Sequence, residues 1–138
     1  MDIKSYKDLI VWKKAKELAI EIYKITGNFP KEEMFGITNQ LRRAVVSISN
    51  NISEGTGRHY KKDTIQFLFV SNGSLNEVES MLQIAKLGFI NEKQTDELRR
   101  SEKIIKRIYQ ILSRLYHIKI APYQLTTLNL QLITNNGS

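Results

Sequence analysis

Apolar residues return every three or four positions along four stretches of this chain, the spacing that places them on one side of a helix. Val11, Ala15, Leu18, Ile22 and Ile25 predict a first helix over residues 5–26, capped by Ser5 with Asp8 three residues on. Gly27 offers a left-handed stop and Pro30 blocks resumption. Ile37, Leu41, Ala44, Val45, Ile48 and Ile52 predict a second helix over residues 36–54, preceded by a turn at residues 31–34. Its VSIS run could be a strand taken alone, but the longer 3.6-residue match decides for helix. The third helix is predicted over residues 63–88, with Asp63 and Gln66 as cap partners and Phe89 folding back on Ile84 past Gly88. Asn91 and Gln94 cap a fourth over residues 91–119, whose seam is Leu98, Ser101, Ile105, Ile108, Leu112 and Leu115.

Four helices joined by short breaks predict an all-α fold, an up-down-up-down four-helix bundle formed by residues 1–119. Residues 120–138 read as a disordered or loosely packed tail, or as an arm pairing elsewhere, with weak alternation at Leu128, Leu130 and Leu132.

Two helical faces depart from simple amphipathicity. On the second helix, Gln40, Arg43, Ser47, Asn51 and Glu54 run beside the apolar arc. On the third, a wheel at about 100° per residue puts Asn72, Asn76, Glu79, Gln83 and Lys86 toward solvent. Opposite them fall Phe67, Val70, Ser74, Met81 and Glu77, so Glu77 is expected on a buried face and in need of a partner. The expectation is a structural polar network of Gln40, Arg43, Ser47, Asn51, Glu54, Ser74 and Glu77, with Arg43 as the countercharge of Glu77. The fourth helix carries Arg99, Arg100, Lys103, Lys106, Arg107 and Arg114 opposite its seam. Its acids, Glu92, Asp96, Glu97 and Glu102, gather toward its start, where the helix dipole favours them.

Composition changes this picture little. The 138 residues suit one domain with a real core, and the absence of cysteine excludes disulfides and fits a reducing cytoplasm. No signal peptide or bilayer-spanning run is visible, so no membrane association is expected. A net charge of +7 makes anionic partners plausible, with Arg58, Lys61 and Lys62 adding a basic loop to the fourth helix. EGTGR is not a phosphate loop, since Tyr60 breaks the glycine pattern and no GK[ST] follows. His59 and His117 lack ligand spacing, Trp12 reads as core or interface, and no nucleophile–base ordering occurs. No catalytic residue, metal or cofactor is therefore expected, and the chain reads as a non-enzyme.

The segments DLIVWKKAKELAIEIYKIT, FPKEEMFG, QLRRAVVSISNNISEGTGR and GSLNEVESMLQIAKLGFI resemble the four-helix-bundle proteins encoded in 23S ribosomal RNA intervening sequences, over about residues 5–118. The resemblance implies a ring-like homo-oligomer, expected to be a pentamer. The chain is also similar to the accessory proteins of diversity-generating retroelements, which associate with a reverse transcriptase and nucleic acid. Two functions follow as expectations. One is nucleic-acid binding, RNA ahead of DNA, through the basic face. The alternative is a protein-interaction scaffold or accessory subunit, for example of a reverse transcriptase.

Overall fold

The computed structural model describes residues 5–120, with side chains through Leu115. The proposed tail beyond Ile120 and the His117 side chain lie outside the described residues. Helices α1 (Ile10–Thr26), α2 (Asn39–Thr56), α3 (Lys61–Ala85) and α4 (Thr95–Ile120) make up the molecule, and no strand occurs among the described residues.

Each helix runs back along its predecessor. Arg42 near the start of α2 donates through Nε to Thr26 Oγ1 at the end of α1, 2.9 Å away. Ser71 and Ser74 of α3 meet Ile48 and Ser47 of α2, so residue numbers rise on one helix as they fall on the other. Lys86 and Asn76 of α3 pair with Glu102 and Tyr109 of α4 in the same descending order. Gln94 and Arg100 then reach Ile25 and Glu21, which closes α4 against α1.

The predicted seams fill the centre. Val11, Ala15, Leu18, Ile22 and Ile25 of α1 and Leu41, Val45, Ile48 and Ile52 of α2 are buried. They meet Leu68, Leu75, Val78 and Leu82 of α3 and Ile105, Ile108 and Leu112 of α4 in one cluster. The α2–α3 contact is the most extensive, and small residues permit it. A Cβ on Gly55 would stand 2.9 Å from Phe67 Cβ and 3.2 Å from the Thr64 carbonyl oxygen, so α2 ends against α3 with no room for a methyl group. Across the same contact the Ser71 hydroxyl donates to the Ile48 carbonyl at 2.9 Å, both groups being buried.

Several helix ends differ from the sequence reading. Ser5 caps a separate 3-10 turn, Tyr6–Asp8, by accepting from Lys7 N, and α1 begins only at Ile10. Gly27 is right-handed (φ −60°, ψ −22°), because the chain tightens through Asn28 and Phe29 amides onto Ile25 and Thr26 carbonyls instead of reversing. A 3-10 turn, Lys31–Glu33, and a π-helical turn, Met34–Thr38, precede α2, the second turn kinked at its non-helical Gly36 (φ −105°, ψ −118°). Helix α3 starts two residues early, its N-cap Tyr60 supplying a backbone carbonyl to the Asp63 and Thr64 amides and no side-chain cap. Gly88 is not left-handed either; the Phe89 and Ile90 amides both close onto the Ala85 carbonyl. Phe89 packs on Phe29 (ring centroids 5.7 Å apart) and leaves Ile84 half exposed. Asn91 and Gln94 form the expected reciprocal cap.

Candidate nucleic-acid interface

Helix α4 divides cleanly because its apolar residues keep heptad-like spacing from Leu98 to Leu115. Ser101, Ile105, Ile108 and Leu112 face the core, which forces the residues between them outward. Arg99, Lys103, Lys106 and Arg114 are exposed and Arg107 is partly buried. None of these five forms an ion pair among the described residues. At about 1.5 Å of rise per residue the strip from Arg99 to Arg114 is roughly 22 Å long. It heads toward the end of the bundle where α2 gives way to α3, the location of exposed Arg58, Lys61 and Lys62. Arg58 is partly engaged, donating to Glu54 Oε2 at 3.3 Å and covering the Phe67 ring at 4.6 Å from its centroid. Lys61 and Lys62 stand beside the uncapped start of α3, whose first amides point the same partial positive charge outward.

Arg100 departs from the predicted strip. Its Nε donates to Glu21 Oε1 at 3.1 Å, and its other nitrogen lies 3.7 Å from Glu97. The hydrogen bond to Glu21 raises the arginine pKa still further above its ordinary value. Arg100 is thereby committed to holding α4 on α1.

The buried carboxylate expected at Glu77 is found instead at Glu21, which is 9% exposed. Glu77 is exposed and makes no ion pair with Arg43, itself exposed. The wheel misjudged α3 because Phe67, Phe69, Val70 and Ile84 make it apolar nearly all round. Its real core stripe runs through Ile65, Leu68, Ser71, Leu75, Val78 and Leu82, rotated away from Glu77, and it leaves Val70 51% exposed. Glu21 was legible: it sits three residues after Leu18 and four before Ile25, inside the apolar seam of α1, where only a partnered carboxylate is tolerable.

The other network residues gather around an open groove between α2 and α3. Gln40, Arg43, Ser47, Ser74 and Glu77 line it with Phe35, Asn76 and Met81, enclosing about 970 Å³. On its floor the Ser74 hydroxyl donates to Ser47 Oγ at 2.9 Å. Asn51 donates to the same Ser47 Oγ at 3.0 Å and to the Ser47 carbonyl at 2.8 Å. Glu54 stays outside, engaged by Arg58.

No cluster of three potential metal ligands occurs among the described residues. His59 is exposed beside Tyr60 (ring centroids 4.8 Å apart), and partly buried Trp12 stacks edge-on against Tyr6 at 5.1 Å. The Tyr109 hydroxyl donates to Asn76 Oδ1; burial, then the nearby Glu79 charge, pushes its pKa well above the ordinary tyrosine range.

A family model described as "23S rRNA-intervening sequence protein" matches residues 7–114, most of the chain. No curated protein matches.

Proposed function

The chain belongs to the 23S rRNA-intervening sequence protein family, and from that premise we propose that it is a non-enzymatic, oligomeric bundle that binds nucleic acid, RNA ahead of DNA, along the outer face of α4. The observation that carries this reading is the set of five cations, Arg99, Lys103, Lys106, Arg107 and Arg114, without an acidic partner among the described residues. A face meant only for solvent ordinarily mixes signs, as α1 does with its Lys14–Glu17 pair at 3.2 Å. Two acids of α4 are engaged away from these five cations, Glu97 with Arg100 and Glu102 with Lys86. A convex helix face of this kind suits backbone phosphates, with Lys61 and Lys62 extending the contact. The assembly is a homo-oligomer, a pentamer on the family resemblance, acting in the cytoplasm. No described helix is long and apolar enough to cross a membrane.

Fluorescence anisotropy of a labelled RNA hairpin across a salt series tests the proposal. Binding should be sequence-tolerant and should weaken steeply with salt. Replacing Lys103, Lys106 and Arg107 together by Ala should lower the logarithmic salt slope by roughly 2–3, since each lost phosphate contact removes about 0.7–0.9. Affinity too weak to measure at low salt, or a slope that survives the triple substitution, would refute it. The second reading is a protein scaffold or accessory subunit, for example of a reverse transcriptase. It is favoured by Phe35 and Leu87, 94% and 89% exposed. A stoichiometric protein partner co-purifying without RNA would give that reading precedence.

A further inference from the structure

Phe35 is the most exposed large apolar side chain described, at 94%, and its neighbour Met34 is 44% exposed. A phenylalanine side chain left in water forgoes burial of roughly 150–250 Å². Its position is nevertheless fixed. Phe35 lies in the π-helical turn Met34–Thr38, which continues directly into α2 through the Asn39 amide donating to the Gly36 carbonyl. Thr38 in the same turn is 1% exposed, so the turn is anchored while its aromatic ring is held outward. Glu32 and Glu33 immediately precede the pair, and neither forms an ion pair among the described residues.

A surface of opposite character lies on α1. Lys16, Ala19, Ile20, Tyr23 and Lys24 border a shallow, open depression of about 490 Å³ along one face of α1. Ile20 and Tyr23 are 48% and 46% exposed, and Arg42 covers one face of the Tyr23 ring at 4.7 Å. The depression is therefore apolar in its middle and cationic at both ends. Lys24 and Lys16 have no acidic partner among the described residues, although Lys16 Nζ sits 5.9 Å from the Trp12 ring centroid. An aromatic projection beside two carboxylates without an ion pair, exposed Glu32 and partly buried Glu33, has its complement in an apolar depression between two ammonium groups without an acidic partner. Lys31 is the one cation adjoining the projection in sequence.

We infer that Phe35 and Met34, flanked by Glu32 and Glu33, seat in the Lys16–Ile20–Tyr23–Lys24 depression of a second copy of this chain. The inference rests on the self-association contained in the proposed function and supplies its contact. Projection and depression are different surfaces, so the contact is heterologous: every copy offers one of each. Repetition produces a closed ring where the rotation between copies divides a full turn, and an open filament otherwise. The complementary charges favour projection on depression over depression on depression, which would set Lys against Lys.

Light scattering coupled to size exclusion, with circular dichroism to confirm folding, tests this. The wild-type chain should elute well above its 16.0 kDa monomer mass. Phe35→Ala, at a site nearly free of internal contacts, should keep its helicity and shift to monomer. Glu32→Lys with Glu33→Lys should do the same, and adding Lys16→Glu with Lys24→Glu should restore the assembly. Variants that keep the wild-type mass, or a charge swap that fails to restore it, overturn this contact and leave self-association standing. A wild-type chain that is monomeric overturns both.

Discussion

Gly55 and Gly73 give the packing argument two predictions of opposite sign from the same substitution. Both are helical, so replacing either by Ala relieves the helix of up to about 1 kcal/mol of backbone entropy cost. Gly55 is the penultimate residue of α2, which reduces that gain. Its new methyl group would lie 2.9 Å from Phe67 Cβ and 3.2 Å from the Thr64 carbonyl oxygen. Carbon atoms prefer roughly 3.5–4.0 Å, so α2 and α3 must part by about 0.6 Å or more. Neither obstructing atom is the far end of a flexible side chain, and such overpacking costs about 1–3 kcal/mol. Gly55→Ala should therefore destabilise by about 1–2 kcal/mol. At Gly73, midway along α3, a Cβ would meet nothing within 4 Å, and Gly73→Ala should stabilise by up to about 1 kcal/mol. Urea unfolding followed by circular dichroism, at one protein concentration because any self-association would add to stability, should separate the two midpoints by about 1 M, from roughly 2 kcal/mol over a slope of roughly 2 kcal/mol per M. Stabilisation by both substitutions would show that α2 and α3 do not approach as closely as described.

Two other sites give comparably direct tests. Gln94 Nε2 donates to the buried Ile25 carbonyl at 2.8 Å, tying the end of α1 to the start of α4. Gln94→Ala should cost about 1–2 kcal/mol by removing two hydrogen bonds, one to that carbonyl, which keeps the Asn28 amide, and one from the Asn91 amide, whereas a change under about 0.5 kcal/mol, usual for a surface site, would remove Gln94 from that role. Tyr109 binds its proton more tightly folded than unfolded, burial being the main cause. Above about pH 10, the ordinary tyrosine value, the unfolded chain ionises while the folded one resists, so stability falls as pH rises. Tyr109→Phe should flatten that alkaline decline in urea midpoints, and an unaltered decline would mean the hydroxyl titrates normally.

Residues that obey one strong period were readable from the chain alone. The seam of α4 and the Asn91–Gln94 cap emerge as read, because polar and apolar residues there alternate at a single helical period and the cap is local chemistry. The same applies to the seams of α1 and α2. Helix ends were less legible: Gly27 and Gly88 invited left-handed stops, but Gly27 is right-handed and Gly88 is not left-handed, the amides that follow each closing back onto carbonyls of the helix end.

What the sequence determined by itself is thus the number and type of elements, their apolar faces, and the excess of positive charge on α4. Those properties follow from local periodicity and from counting charges. Tertiary structure decided the pairings. An apolar pattern spread around α3 defines no single face, so only packing against α2 could select Leu75 and Val78 for the core and leave Glu77 outside. Likewise, no local rule could say that Arg100 belongs to Glu21, on a helix far away in sequence, while Lys103 and Lys106 stay unengaged. The separation of committed from available cations, on which the functional reading rests, exists only once α1 and α4 lie side by side.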